Sequence, residues 1–113
     1  MITLGVDVGT THTKALALDI AAGRTLALES AATPVTRDDA GEVHRPADVL
    51  ETVLELLSAV VRRLPAGSSV DALCVASVGE EVVLLDADGQ PTADVITWYD
   101  PRGLEAAAAF MAG

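Results

Sequence analysis

Ile2 to Val8 is a short, partly β-branched apolar run, and Lys14 to Ile20 is another, with the polar stretch Gly9-Thr10-Thr11-His12-Thr13 between them. Two such runs around a polar turn predict a β-hairpin. Ala21-Ala22-Gly23-Arg24 interrupts the second run and Thr25 to Ala32 forms a third, so the start of the chain reads as an antiparallel meander of three strands. Residues 33–45, with Pro34, Asp38, Asp39 and Gly41, read as a polar loop.

From Pro46 to Leu64 the pattern changes period. Val49, Leu50, Val53, Leu54, Leu56, Leu57, Val60, Val61 and Leu64 recur at helical spacing, and Asp48, Glu51, Glu55, Ser58 and Arg62 fall on the other side. Acids early and Arg62-Arg63 late suit the helix dipole, and Pro65-Ala66-Gly67 stops the helix. Val70 to Ser77 is almost continuously apolar, the pattern of a strand covered on both faces. Val82 to Leu85 and Val95 to Thr97 flank the turn Asp86-Ala87-Asp88-Gly89-Gln90-Pro91, which predicts a second hairpin, and a final helix opens after Gly103. The order of elements describes an α/β fold, a mixed sheet packed against helices.

A length of 113 residues with 50% hydrophobic content supports a single core and no second complete domain. Seven basic against seventeen acidic residues give a formal charge of −10, which disfavours nucleic acid and anionic membranes as partners and leaves small molecules or proteins. The lone Cys74 has no intrachain partner for a disulfide; in its apolar run it reads as a small core residue, in keeping with a reducing cytoplasm. The N-terminus lacks the basic region of a signal peptide, and no run reaches the about 18 apolar residues of a membrane span.

Chemistry concentrates in two places. Asp7 lies among Leu4, Val6 and Val8, where a buried carboxylate needs a cation or donors beside it. Gly9-Thr10-Thr11-His12-Thr13 follows at once, a turn rich in hydroxyls and N–H groups with a glycine for close approach, and Lys14 adds a positive charge. Such a turn can hold phosphate oxygens, and the adjacent carboxylate a hydrated Mg2+. The plainer alternative is a polar hairpin tip capped by Asp7. His12, His44 and Cys74 have no zinc-ligand spacing. The turn at Gly89 fails as a calcium loop, since Leu84 and Val95 would occupy its first and last ligand positions.

Leu4-Gly5-Val6-Asp7-Val8-Gly9-Thr10-Thr11-His12-Thr13-Lys14-Ala15 resembles the first phosphate motif of the FGGY carbohydrate kinases, in the superfamily of actin, hexokinase and the heat-shock ATPases. Ser77-Val78-Gly79-Glu80-Glu81-Val82-Val83-Leu84-Leu85-Asp86, followed by Ile96-Thr97-Trp98-Tyr99-Asp100-Pro101-Arg102, resembles the family's substrate-reading loop, hairpin and Trp-x-Asp-x-Arg element. The resemblance implies a partial RNase H-like, actin-like ATPase domain, and a chain that is the N-terminal piece of a sugar or polyol kinase using ATP and Mg2+. It implies that Asp7 helps to hold the metal and that Gly9, Thr10, Thr11 and Thr13, with Lys14, surround the phosphates. It implies that Glu80 accepts from neighbouring sugar hydroxyls, that Trp98 offers an apolar face to the sugar, and that Asp100 adds an acceptor.

Two departures stand out: His12 replaces a commoner small polar residue, and Gly79 stands where glycerol kinases have Arg, which argues against glycerol as the acceptor. The general-base Asp and the adenosine-binding second domain are expected beyond position 113, so no catalytic residue is assigned and the chain alone is expected to be inactive. Self-association through the apolar runs Val70 to Ala76 and Ala106 to Met111 is a further expectation. The alternatives are an RNase H-like nuclease or resolvase relative, and a truncated remnant without activity. For particular residues the plain readings are a core or interface Trp98, a surface pair of Asp100 with Arg102, and a solvated or local structural charge at Glu81.

Overall fold

A computed structural model describes residues 1–113, in the order β1 (Ile2–Val8), β2 (His12–Asp19), β3 (Arg24–Ala32), β4 (Thr36–Arg37), β5 (Glu42–His44), α1 (Pro46–Arg62), β6 (Ala72–Ser77), β7 (Val95–Ile96) and α2 (Leu104–Ala112). They divide into two compact units, one of Met1–Pro34 with Ala47–Gly79, the other of Val35–Pro46 with Glu80–Gly113.

The first unit is a four-stranded sheet in the order β3-β2-β1-β6, antiparallel except for the parallel pair β1 and β6. Side chains alternate across it. Leu4, Val6, Ala15, Ala17 and Ala27 point to one face, where Leu56 and Val60 of α1 complete the buried cluster and Val53, Leu57 and Leu64 pack around it. Four small or medium side chains on the strands leave room for the helix to approach. Complete burial of Val60 contributes about 2 kcal/mol. The helix ends where expected, with Arg63 N–H donating to Val60 O (3.1 Å) and Leu64 N–H to Val61 O (3.1 Å) before Pro65.

One expectation fails here. The apolar run Val70 to Ser77 is not covered on both faces: β6 is the sheet edge, every one of its residues is exposed, and Cys74 is exposed with them rather than in the core. Leu73 and Val75 lie in register with Leu4 and Val6, but α1 covers the strands on the other side of β1.

The second unit holds a small antiparallel sheet in the order β4-β5-β7. It corrects two readings. The polar loop of residues 33–45 contains β4 and β5, and Val95–Ile96 pairs with His44 and Val43 rather than closing a hairpin with residues 82–85. The predicted turn is present: Asp86 Oδ1 accepts from the N–H groups of Asp88 (2.9 Å) and Gln90 (2.8 Å). Pairing beyond it is reduced to one bridge, Leu85 to Pro91, closed by Asp86 N–H to Gln90 O (2.9 Å) and Thr92 N–H to Leu84 O (2.9 Å). α2 buries none of its residues.

Candidate functional site

The first unit carries the residues assigned to phosphate. Asp7 and Lys14 are opposite one another in the antiparallel pair of β1 and β2, on the face away from α1, and both are exposed. The buried carboxylate anticipated at Asp7 is therefore corrected. Its strand end is open, so the group needs no buried partner and is accessible to a hydrated cation. Thr11 and His12 are exposed at the tip, and Thr10 and Gly9 are half-buried. Gly9 N–H donates to His12 O at 3.1 Å, and a Cβ on Gly9 would lie 2.7 Å from that oxygen, so only glycine permits this approach.

Thr13 is placed differently from its neighbours. It has no exposed surface, faces α1, and its hydroxyl lies 2.9 Å from that of Thr33, which in turn donates to Gly9 O at 2.7 Å. Thr33 N–H donates to Thr11 O at 2.9 Å. Thr13 thus supports the turn from behind, with its side chain away from the exposed tip.

The second unit carries the residues assigned to the sugar. Glu80 is exposed. Its neighbour Glu81 turns inward: its side chain is 8% exposed, Oε2 lies 3.5 Å from Nε2 of the equally buried His44, and Oε1 accepts from Trp98 N–H at 3.1 Å. One buried carboxylate therefore ties the loop bearing Glu80 to β5 and to the backbone of Trp98. Trp98 is 57% exposed, and its ring meets Tyr99 edge to face at 5.6 Å.

Asp100 has no exposed side-chain surface. Its Oδ2 accepts from Glu42 N–H (2.8 Å) and Arg102 Nη2 (3.0 Å), and its Oδ1 from Arg102 N–H (2.8 Å) and Nε (2.9 Å). Donation from the Arg102 guanidinium, then from its backbone N–H, holds the carboxyl down at about 2. Arg102 forks onward to Asp38, at 3.2 Å through Nη1 and 3.0 Å through Nη2, and holds that carboxylate below its usual range as well. The Glu42 carboxylate accepts from the Tyr99 hydroxyl and from Arg37, which lower its pKa, and the bond to Glu42 raises that of the Tyr99 phenol.

Thr33, His44, Glu42, Tyr99 and Asp38 were not legible as site residues, and Glu81 only as a local charge. Their partners lie far off in sequence, so no spacing rule links them. The available signal was weak: Thr33 precedes Pro34, and Glu81 stands directly beside Glu80.

Residues 2–111 match the FGGY family of carbohydrate kinases, N-terminal domain. The chain is 30% identical over 105 residues to a glycerol kinase of Marinomonas sp. (strain MWYL1), covering 88% of this chain and 20% of that protein. It is 31% identical over 104 residues to a xylulose kinase of Streptomyces rubiginosus, covering 89% and 20%. It thus spans about a fifth of the length of these relatives. Among solved structures, gluconate kinase from Lactobacillus acidophilus aligns with a TM-score of 0.86 at 22% identity, covering 98% of this chain and 22% of that one. Plasmodium falciparum glycerol kinase with ADP aligns at 0.82 and 18%, covering 98% and 23%. These likenesses establish the actin-like ATPase fold.

Proposed function

The chain belongs to the FGGY family of carbohydrate kinases, and from that premise we propose that it supplies the phosphate-holding turn and part of the acceptor pocket of an enzyme that transfers the γ-phosphoryl group of ATP to a sugar or polyol hydroxyl. The observation that carries the reading is the turn Gly9–His12, closed by a contact only glycine permits, with the exposed Asp7 and Lys14 at its base. Backbone N–H groups and the hydroxyls of Thr10 and Thr11 bind phosphate oxygens there, and Lys14 offsets their charge. Thr13 contributes by holding the turn.

Asp7 fits a hydrated Mg2+, being an exposed, acceptor-only carboxylate at the strand end beside the turn. When bound, the ion neutralises negative charge on the transferring phosphate.

For the acceptor, Glu80 takes hydrogen bonds from neighbouring sugar hydroxyls and Trp98 packs its ring on the C–H face. Asp100, whose oxygens already receive four donors, holds the Trp98-to-Arg102 segment in shape and reaches the sugar through that segment. The setting is the cytoplasm, and residues 1–113 alone bind ATP weakly, at about millimolar, and turn over undetectably.

The test is a coupled ADP-release assay with Mg·ATP over a panel of pentoses, hexoses and polyols, on the protein encoded by the whole reading frame that contains residues 1–113. Sugar-dependent ADP release is the expected result. Release independent of every acceptor, or none at all, overturns the reading.

A further inference from the structure

Thr33 is 7% exposed and stands one residue beyond β3, yet both of its hydrogen-bonding groups are committed to the turn between β1 and β2. Its hydroxyl donates to Gly9 O at 2.7 Å and its N–H donates to Thr11 O at 2.9 Å. A hydroxyl has one proton, and that of Thr33 goes to a carbonyl, which only accepts. The 2.9 Å contact between Thr13 and Thr33 must then run from the Thr13 hydroxyl to the Thr33 oxygen. The result is a directed relay, Thr13 to Thr33 to Gly9. Pro34 restricts Thr33 to extended backbone and so fixes the root of the relay.

Packing alone does not account for this arrangement. Two buried hydroxyls cost desolvation that a pair of valines of the same shape avoids, and such apolar replacements are nearly neutral or stabilising. What valines cannot do is grip carbonyls. Peptide bonds are planar, and every one in this chain is trans, so a carbonyl and the following N–H point in opposite directions. Drawing Gly9 O toward Thr33 turns Thr10 N–H away from it, and drawing Thr11 O toward Thr33 does the same for His12 N–H.

We propose that Thr33 is a positioning residue for the phosphate-holding turn: by gripping the carbonyls of Gly9 and Thr11 it aims the N–H groups of Thr10 and His12 at the phosphate oxygens. The proposal rests on the reading of that turn given above. It assigns to an otherwise unremarked residue the preorganisation that makes backbone donors effective for an anion.

The experiment is an amide NMR titration of the 15N-labelled 113-residue chain with Mg·ATP and, separately, with inorganic triphosphate and Mg2+. In wild type and in Thr33→Ser, which keeps the hydroxyl, the Thr10 and His12 amide resonances shift on addition of either probe. Thr33→Val and Thr33→Ala bind both probes about fivefold more weakly or worse, the effect of one lost hydrogen bond. The exchange protection of the Val6 and Ala17 amides reports that the core is intact. Binding by either variant within twofold of wild type, or a titration in which the Thr10 and His12 amides do not move, overturns the proposal and leaves the kinase reading standing. Loss of core protection in both variants reduces Thr33 to a structural residue and overturns it as well. A wild-type chain that responds to neither probe removes the phosphate reading and the proposal together.

Discussion

A Cβ placed on Gly41 would lie 1.9 Å from Oδ2 of Asp100 and 2.8 Å from its Cγ, so the carboxylate occupies the space that any side chain at position 41 would need. Asp100 comes this close because Glu42 N–H, the next donor along the backbone, binds the same oxygen at 2.8 Å. Gly41→Ala is therefore expected to expel the carboxylate, break its bond to Glu42 and lower the thermal midpoint by about 5 °C or more. Differential scanning calorimetry measures this; a midpoint equal to that of wild type contradicts the contact.

Acid dissolves the same cluster in a defined range. Asp100 is held at about 2 against an ordinary value of 3.8, by the Arg102 side chain first and its backbone N–H next. A depressed carboxyl contributes stability that is complete above its unfolded value and is lost as pH falls through its folded one. The second unit is expected to lose its near-UV circular dichroism from Trp98 and Tyr99 between about pH 4 and about pH 2. Asp38 and Glu42, also lowered, act in the same direction. Asp100→Asn, whose amide does not titrate, shows a flatter profile over this range.

Glu81 is expected to control Trp98. Removing the carboxylate in Glu81→Ala takes an acceptor from the Trp98 backbone N–H and a neighbour from the buried His44, at a cost of about 2 kcal/mol in urea denaturation. Trp98 is the only tryptophan, so its fluorescence anisotropy reports the local effect: it falls in Glu81→Ala and less in Glu81→Gln, which keeps an acceptor. Unchanged anisotropy in both variants separates the indole from the buried pair.

On the proposed function, the phosphate and acceptor residues of the whole enzyme are expected to separate kinetically. Asp7→Asn lowers turnover at least about tenfold, equivalent to about 1.4 kcal/mol of barrier, through lost metal placement. Glu80→Ala raises the sugar KM or lowers kcat/KM for the sugar and leaves the KM for ATP nearly unchanged. Steady-state kinetics at saturating Mg2+ check both. Wild-type turnover in Asp7→Asn, or a change confined to ATP in Glu80→Ala, removes the assigned role.

What the sequence made legible follows from the range over which each signal acts. The meander and α1 are local and strongly periodic, and β1 to β3 and the helix start at Pro46 come within a few residues of their predicted limits. The turn Gly9–His12 is contiguous in sequence, and its place between β1 and β2 was legible for the same reason. β4, β5 and β7 are two or three residues long, too short for any period to register, and their pairing brings together segments far apart in the chain. The exposure of β6 was illegible because a continuous apolar run is the same whether one face or both are covered. Asp7 read as buried because its neighbours are apolar, while alternation in fact turns it to the opposite face from Val6.

The sheet order β3-β2-β1-β6 joins contacts of two very different ranges. The turns from β1 to β2 and from β2 to β3 each close a short loop. Docking of β6 on β1 brings Ile2 and Asp71 together across a separation of 69 residues, with Ile2 N–H donating to Asp71 Oδ2 at 2.8 Å. Loop-closure entropy grows with that separation, and only one edge of β6 is paired to repay it. Assembly is therefore ordered in time: the meander zips first, α1 settles on it, and β6 is the last strand in and the first out. In pulse-labelling hydrogen exchange the amides of β2 gain protection ahead of those of β6, and in the native state β6 opens at a lower free energy than the strands it joins.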